Sequence, residues 1–225
     1  MPVLAIDRNT ILNQSGRARA SGTSAPARRG VASFRRHVTT PDFDGRRFGF
    51  RACGDDVRIY EWVRVLGAER IDVGSHVIVD DFVFLDGGES LSIGSHVHIA
   101  SYVGIVGGGT VVLEDFVGLA TGTRLVSGTD IMDGSGLTGP TIPARWRAVR
   151  RGSIHIGKHA VMGANVVVHP DVTIGEGTIV GSQSLVTRSL PPWSICVGVP
   201  ARVIRARESE AITAYERELL AAEAG

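Results

Sequence analysis

The groups in this chain able to exchange a proton near neutral pH are seven histidines and a set of carboxylates. Three of them stand out by position. His98 lies between Val97 and Ile99, two aliphatic residues that face one way, so its imidazole faces the other. Asp130 sits in GTD near the start of VSGTDIMDGSGLTGPTIPARWRAVRRGSIH, residues 126–155, the one long stretch without the regular pattern found elsewhere. His159 occupies a turn position in IGKHAVMG. An imidazole or a carboxylate within hydrogen-bond reach can take a proton from a reacting group, so all three are candidate general bases. Competing readings are a hydrogen bonder for His98, a turn former for Asp130, and for His159 a member of a stack with His76, His96 and Phe116. His76, His96, His155 and His169 read as turn or surface residues. The triple glycine at 107–109 lacks a following GK[ST] and helix, which makes it a bulged turn rather than a phosphate loop.

What must position these groups is a repeat of six. Units of the form aliphatic, Gly or polar, two polar, small, any begin at Cys53, Ile59 and Val65, then at Val73, Val79 and Leu85. They continue at Ile93, Ile99 and Ile105, then at Leu113, Leu119 and Leu125. Within each group of three the step is six, and the step to the next group is eight, so the groups recur every 20 residues. After the break the units resume at Ile156, Met162, Val168, Ile174, Val180 and Val186 with every step equal to six. Eighteen units make six coils of a stacked all-β solenoid, in which no repeat buries its apolar face alone. The first and fifth positions point inward, the second to fourth form turns, and the extra residues of the third unit bulge one corner. A long excursion from so regular a coil is where binding groups gather.

Bulk properties fit one soluble domain with appendages. The 225 residues are 43% hydrophobic with a net charge of +1, which points to neither nucleic acid nor a membrane surface. No apolar run approaches the roughly 18 residues a spanning helix needs, and no leader pattern is present, so a cytoplasmic location is expected. Cys53 and Cys196 read as buried free thiols. Residues 1–47 form a basic arm, 48–191 the repeat domain with its loop at 126–155, and 192–225 a tail. In that tail WSICVGVPARVIR reads as a short strand and ARESEAITAYERELLAAEA as a helix. The helix carries Ile212, Tyr215, Leu219 and Ala222 on one face, to pack on the coil end or a neighbouring subunit.

Hexapeptide repeats followed by GVPARVIR resemble the left-handed β-helix acyltransferases. The narrower phrases VHIASYVGIVGGG, TGPTIP and IGKHAVMGANVVVHPDVTIGEGTIVGSQSLV resemble sugar-nucleotide acetyltransferases of the dTDP-4-amino-4,6-dideoxyglucose type. The resemblance implies a left-handed parallel β-helix with a C-terminal α-helix, assembled as a homotrimer. It also implies acetyl transfer from acetyl-CoA to the amine of a nucleotide-linked deoxyamino sugar, with no metal. O-acetylation of a sugar or other small hydroxyl compound is the alternative.

The same resemblance places the residues. Relatives open the long loop with Gly-His-Pro, whose histidine is the base; Gly128, Thr129 and Asp130 stand there instead. His98 falls on a face implied to lie between subunits. Pantetheine is expected along Gly163, Ala164, Gly181 and Ser182, then Val199 and Pro200, with Arg202 and Arg205 toward the nucleotide phosphates. Val161 replaces a tryptophan common in relatives. Tyr102, Pro140 and Trp146 are expected near the sugar nucleotide. Two other classes remain: a carbonic-anhydrase-like zinc enzyme, which needs two histidines five residues apart that this chain lacks, and a non-catalytic trimeric scaffold, against which the GVPARVIR tail speaks.

Overall fold

The computed structural model describes residues 44–223. The basic arm expected at the N-terminus lies outside them except at its end, where Gly45–Phe48 forms a 3-10 turn capped by the Asp44 carboxylate. From there the chain winds into a solenoid with three flat faces.

The first face stacks Ala52–Cys53, Ile71–Val73, Ser90–Ile93, Thr110–Leu113, Ser153–Ile156 and Val172–Ile174 in parallel. Its register runs Cys53, Val73, Ile93, Leu113, Ile156, Ile174, so the irregular stretch is looped out without disturbing the ladder. The second face begins at Arg58–Ile59 and the third at Arg64–Leu66, each climbing with the same step. Beyond the six expected coils, a bridge between Ile174 and Leu190 and the strand Ser194–Gly198 start a seventh.

The core is what the six-residue period requires. Ile59, Leu85, Ile99, Leu125, Ile156, Met162 and Val180 are at most 1% exposed, and each fully buried aliphatic stabilises by roughly 1.5–3 kcal/mol. Where the inward fifth position is polar, its hydroxyl is paired with backbone: Thr123 donates to the Gly163 carbonyl at 3.2 Å, Thr178 to that of Pro191 at 2.7 Å, and Ser184 accepts from Gly198 N–H at 3.0 Å. Among the described residues no buried side-chain nitrogen or oxygen lacks a partner. Cys196 is fully buried, but Cys53, on the first described coil, is only half-buried. The burial it does have pushes its thiol pKa up.

The corners carry the less obvious feature. The fourth residue of most units is left-handed, and eleven of these residues are not glycine, with φ between 50° and 65°. Each such residue costs roughly 1–2 kcal/mol. The conformation aims its N–H at the turn one coil below: His76 donates to Asp55, His96 to Ser75, Phe116 to Ser95 and His159 to Asp115, at 2.8–3.1 Å. Side chains one coil apart then lie face to face. At the first corner the rings of His76, His96, Phe116 and His159 stack at 4.7–4.9 Å. At the second, Trp62, Phe82 and Tyr102 stack at 6.4 and 5.1 Å. The third corner holds the bulged glycine turns, and the long loop leaves from it.

The tail differs from a single short strand. Ser194–Gly198 turns back into Ala201–Ala206, and this antiparallel pair extends the second face. The helix Glu210–Glu223 then runs along the first corner rather than across the coil end, and none of its residues is fully buried. No described helix is long and apolar enough to cross a membrane.

Candidate functional site

The loop closes at its root on Ser127. Its hydroxyl accepts from Gly109 N–H and donates to the Val106 carbonyl, both at 3.0 Å, while its backbone carbonyl accepts from Gly152 N–H at 2.8 Å. Gly128–Asp130 and Val149–Arg151 pair as a short antiparallel ribbon above that root. Asp130, at the top of the ribbon, accepts from Gly139 N–H at 2.7 Å and from the Arg147 guanidinium at 2.6 and 2.9 Å, with its side chain 14% exposed. The Gly139 N–H and then the Arg147 charge hold its carboxyl below the usual carboxylate range. It also lines a cavity of about 420 Å³ with Val126, Thr129, Met132, Arg150 and His169.

A carboxylate so held stays ionised near neutral pH. That is a weak proton acceptor but a strong partner for an N–H or an ammonium. The same contacts anchor Gly139 and so the segment that includes Pro140. Trp146 is 57% exposed beyond that anchor with the Arg145 guanidinium 5.2 Å over its ring, so it does not fill a core of the loop.

His98 projects from the second face, as its alternation predicts, and Asp80 contacts its Nε2 at 3.1 Å. A carboxylate only accepts, so this contact places the proton on Nε2 and leaves Nδ1 with the lone pair. One coil above, the residue paired with His98 is Gly118, which puts no side chain over the ring. His159 is different in kind. It is 8% exposed, sandwiched between Phe116 and Trp193, and bonded through Nε2 to Glu216 of the helix at 2.8 Å. That is the stacked position, and it fastens the helix. Within one chain His98, Asp130 and His159 therefore lie apart: on the second face, at the third corner and at the first corner.

The residues expected along pantetheine fall together. Gly163 with Ala164 and Gly181 with Ser182 are successive turns of the second corner. A Cβ on Gly163 would meet the Ser182 nitrogen at 2.5 Å, so the coils approach too closely there for a side chain. Above them the hairpin carrying Val199 and Pro200 is tied down by Gly198 N–H donating to Ser184 Oγ at 3.0 Å. Arg202 and Arg205, three apart, would face opposite ways on a regular strand. A bulge pairs Arg205 with Ile195, Val203 with Cys196 and Arg202 with Val197, leaving Ile204 unpaired, so both guanidiniums share the outer side of the second face. That side also carries His98, five rungs lower, or roughly 24 Å at the usual strand spacing. Tyr102, 54% exposed, tops the aromatic stack of the second corner, where Gly122 above it makes a step.

Sequence reasoning missed Asp80, Arg147 and Arg150. Their partners lie 17 to 21 residues away, across a coil or a loop, and only the one-coil spacing of 18–20 between Asp80 and His98 was available as a signal.

Comparison with known proteins bears on this arrangement. Residues 153–188 match the family described as bacterial transferase hexapeptide (six repeats). The chain is 29% identical over 166 residues to a dTDP-4-amino-4,6-dideoxy-D-glucose acyltransferase of Escherichia coli, covering 73% of this chain and 86% of that one. Its structure is similar to that of AntD, an N-acyltransferase from Bacillus cereus in complex with dTDP and 3-hydroxybutyryl-CoA. The TM-score there is 0.76 at 36% identity, over 80% of this chain and 95% of that one. A variant of AntD bound to dTDP-4-amino-4,6-dideoxyglucose and coenzyme A superposes with a TM-score of 0.75 at 37% identity, over 79% and 94% of the two chains.

Proposed function

The chain belongs to the hexapeptide-repeat acyltransferases, with their left-handed parallel β-helix, and from that premise we propose that it transfers the acetyl group of acetyl-CoA to the amine of a nucleotide-linked deoxyamino sugar. One observation carries the substrate class. The likeness to an N-acyltransferase in complex with dTDP and an acyl-CoA extends over 95% of that enzyme and 80% of this chain, a larger share than the repeats alone make up.

The amine nitrogen attacks the thioester carbonyl carbon, the C–N bond forms, and the tetrahedral oxyanion collapses with loss of the CoA thiolate. The nitrogen becomes cationic on attack and must shed a proton. Asp130, kept ionised, fits the task of accepting an N–H of the amine and steadying that positive charge, rather than removing the proton. Removal falls to His98, oriented by Asp80, or to the departing thiolate. Gly163, Ala164, Gly181 and Ser182 offer a side-chain-free edge for pantetheine, and Arg202 and Arg205 offer paired donors for phosphate oxygens. Tyr102, Pro140 and Trp146 are assigned to the sugar nucleotide. His159 has its Nε2 committed to Glu216 and is assigned to helix docking.

The working unit is a homotrimer in the cytoplasm, with no nucleic acid or membrane partner. What supports the trimer is the contrast among faces. The outward residues of the first face include Asp72, Ser92, His155 and Thr173, whereas those of the second and third include Ile78, Val161, Ile179 and Ile195, then Phe84, Val167 and Leu185. Packing these two apolar faces against copies also brings His98 of one chain toward the loop of another. The deciding experiment follows thiol release with a panel of acceptors. Release is expected with a dTDP-linked amino sugar and absent with galactosides, and the same panel with longer acyl-CoAs ranks the donor. Activity confined to hydroxyl acceptors would replace this reading with O-acetylation.

A further inference from the structure

We infer that the lower first corner, where His76, His96 and Glu223 converge, binds one divalent transition-metal ion of the zinc type. One ligand atom from each of the three residues lies within 4.8 Å of the others. Glu223 reaches both rings at once: Oε2 is 3.2 Å from His96 Nε2, and Oε1 is 3.9 Å from His76 Nε2. Metal bonds of about 2.0–2.2 Å in a tetrahedron separate neighbouring ligand atoms by about 3.3–3.5 Å. To close on an ion Glu223 must move and the two stacked rings must turn so that their Nε2 atoms draw together, a shift of an ångström or so at an exposed corner.

Two further features favour a ligand set over a chance encounter. The backbones that carry the imidazoles are fixed side by side: both residues have φ of 57°, both donate their backbone N–H to the coil below, and the rings lie next to each other at 4.8 Å. Asp56 contacts Nδ1 of His76 at 3.4 Å. A carboxylate there puts the proton on Nδ1, leaves the Nε2 lone pair facing the cluster, and repeats the carboxylate–histidine–metal order common behind such ions. Two neutral imidazoles and one carboxylate suit Zn²⁺ and its neighbours better than Mg²⁺ or Ca²⁺. The ion would join the last turn of the helix to the second and third coils, at a corner separate from the loop and the arginine hairpin, so its role is to fasten the helix.

The test uses untagged full-length protein stripped with chelator and titrated with ZnCl₂ alone in a calorimeter, with Co²⁺ absorption as a second readout. One ion per chain and a higher melting temperature in Zn²⁺ are expected. The pair His76→Asn and His96→Asn, chosen because asparagine tolerates the left-handed backbone, should abolish both. Glu223→Gln, at an exposed helix end and so without risk to the coil, should weaken binding at least tenfold. Asp56→Asn should weaken it about 10–100-fold. Absence of binding, or binding unchanged in Glu223→Gln and in the histidine pair, overturns the site. Acyl transfer is expected to survive chelation, so failure here leaves the proposed reaction untouched.

Discussion

Two corners of this solenoid share one backbone and meet different fates. Both set the fourth residue of successive units left-handed, and both stack aromatic side chains along the axis. The first is covered: the helix lies on it, Glu216 bonds His159, and His159 is 8% exposed. The second is bare, with Trp62 62%, Phe82 51% and Tyr102 54% exposed. A contiguous apolar column flanked by two half-apolar faces is costly to leave in water. Among the described residues the first corner is completed by the chain's own tail, whereas the second has no such cover, and it is this exposed column that the proposed packing of copies and pantetheine would occupy.

The comparison breaks most visibly at the bare corner. Phe82→Asp places an unpaired carboxylate where a partner is proposed to pack. Sedimentation should show monomer at micromolar concentration, and kcat should fall by roughly 10² or more, because groups from two chains no longer meet in register. A variant that stays trimeric and active would return the second corner to ordinary surface.

Next in size are the two polar groups of the site. His98→Asn should lower kcat by roughly 10²–10⁴ with assembly intact if the imidazole takes the proton. A loss under tenfold would assign the proton to the thiolate. Asp130→Asn should lower kcat by about 10–150-fold, the size of a hydrogen bond to a charged group. It should leave the kcat–pH profile unchanged near neutrality, since this carboxyl titrates below the usual range.

The covered corner is probed by smaller changes. Gly177 takes the left-handed position with φ of 66°, and a Cβ on it would meet the Trp193 ring at 2.3 Å. Gly177→Ala should therefore cost about 1–3 kcal/mol, read as a lower melting temperature with kcat retained.

The smallest effect is pH-dependent docking of the helix through Lys158 and Glu216. Lys158 holds the Glu216 carboxyl below its ordinary range, so its contribution is complete above the ordinary carboxylate pKa and is lost as pH falls through the depressed value. Glu216 raises the Lys158 pKa, so that contribution is complete below the ordinary lysine value and is lost as pH rises through the raised one. Amide exchange over residues 210–223 should quicken at both extremes, and Glu216→Gln should show fast exchange already at neutral pH.

Much of this was legible in the residue order. A period of six with a group step of 20 specifies three short strands per coil, and the observed register follows it coil by coil. The outward turn of His98 follows from alternation alone. The role of Asp130 was not legible, since an aspartate in a Gly-rich turn has the same local signature whether or not an arginine 17 residues on binds it. Nor was the shared side of Arg202 and Arg205, because simple alternation puts residues three apart on opposite sides and only the bulge at Ile204 reverses that.

The sequence by itself determined the solenoid, its three corners and the point where the loop leaves, because each depends on contacts between units at a constant spacing that any one unit already encodes. Only the tertiary structure decided which corner is covered, what holds Asp130 ionised and which side the arginines take. Those depend on single long-range pairs, helix to coil, loop to ribbon and strand to strand, whose distance along the chain obeys no period and whose energies become visible only when the chain is folded.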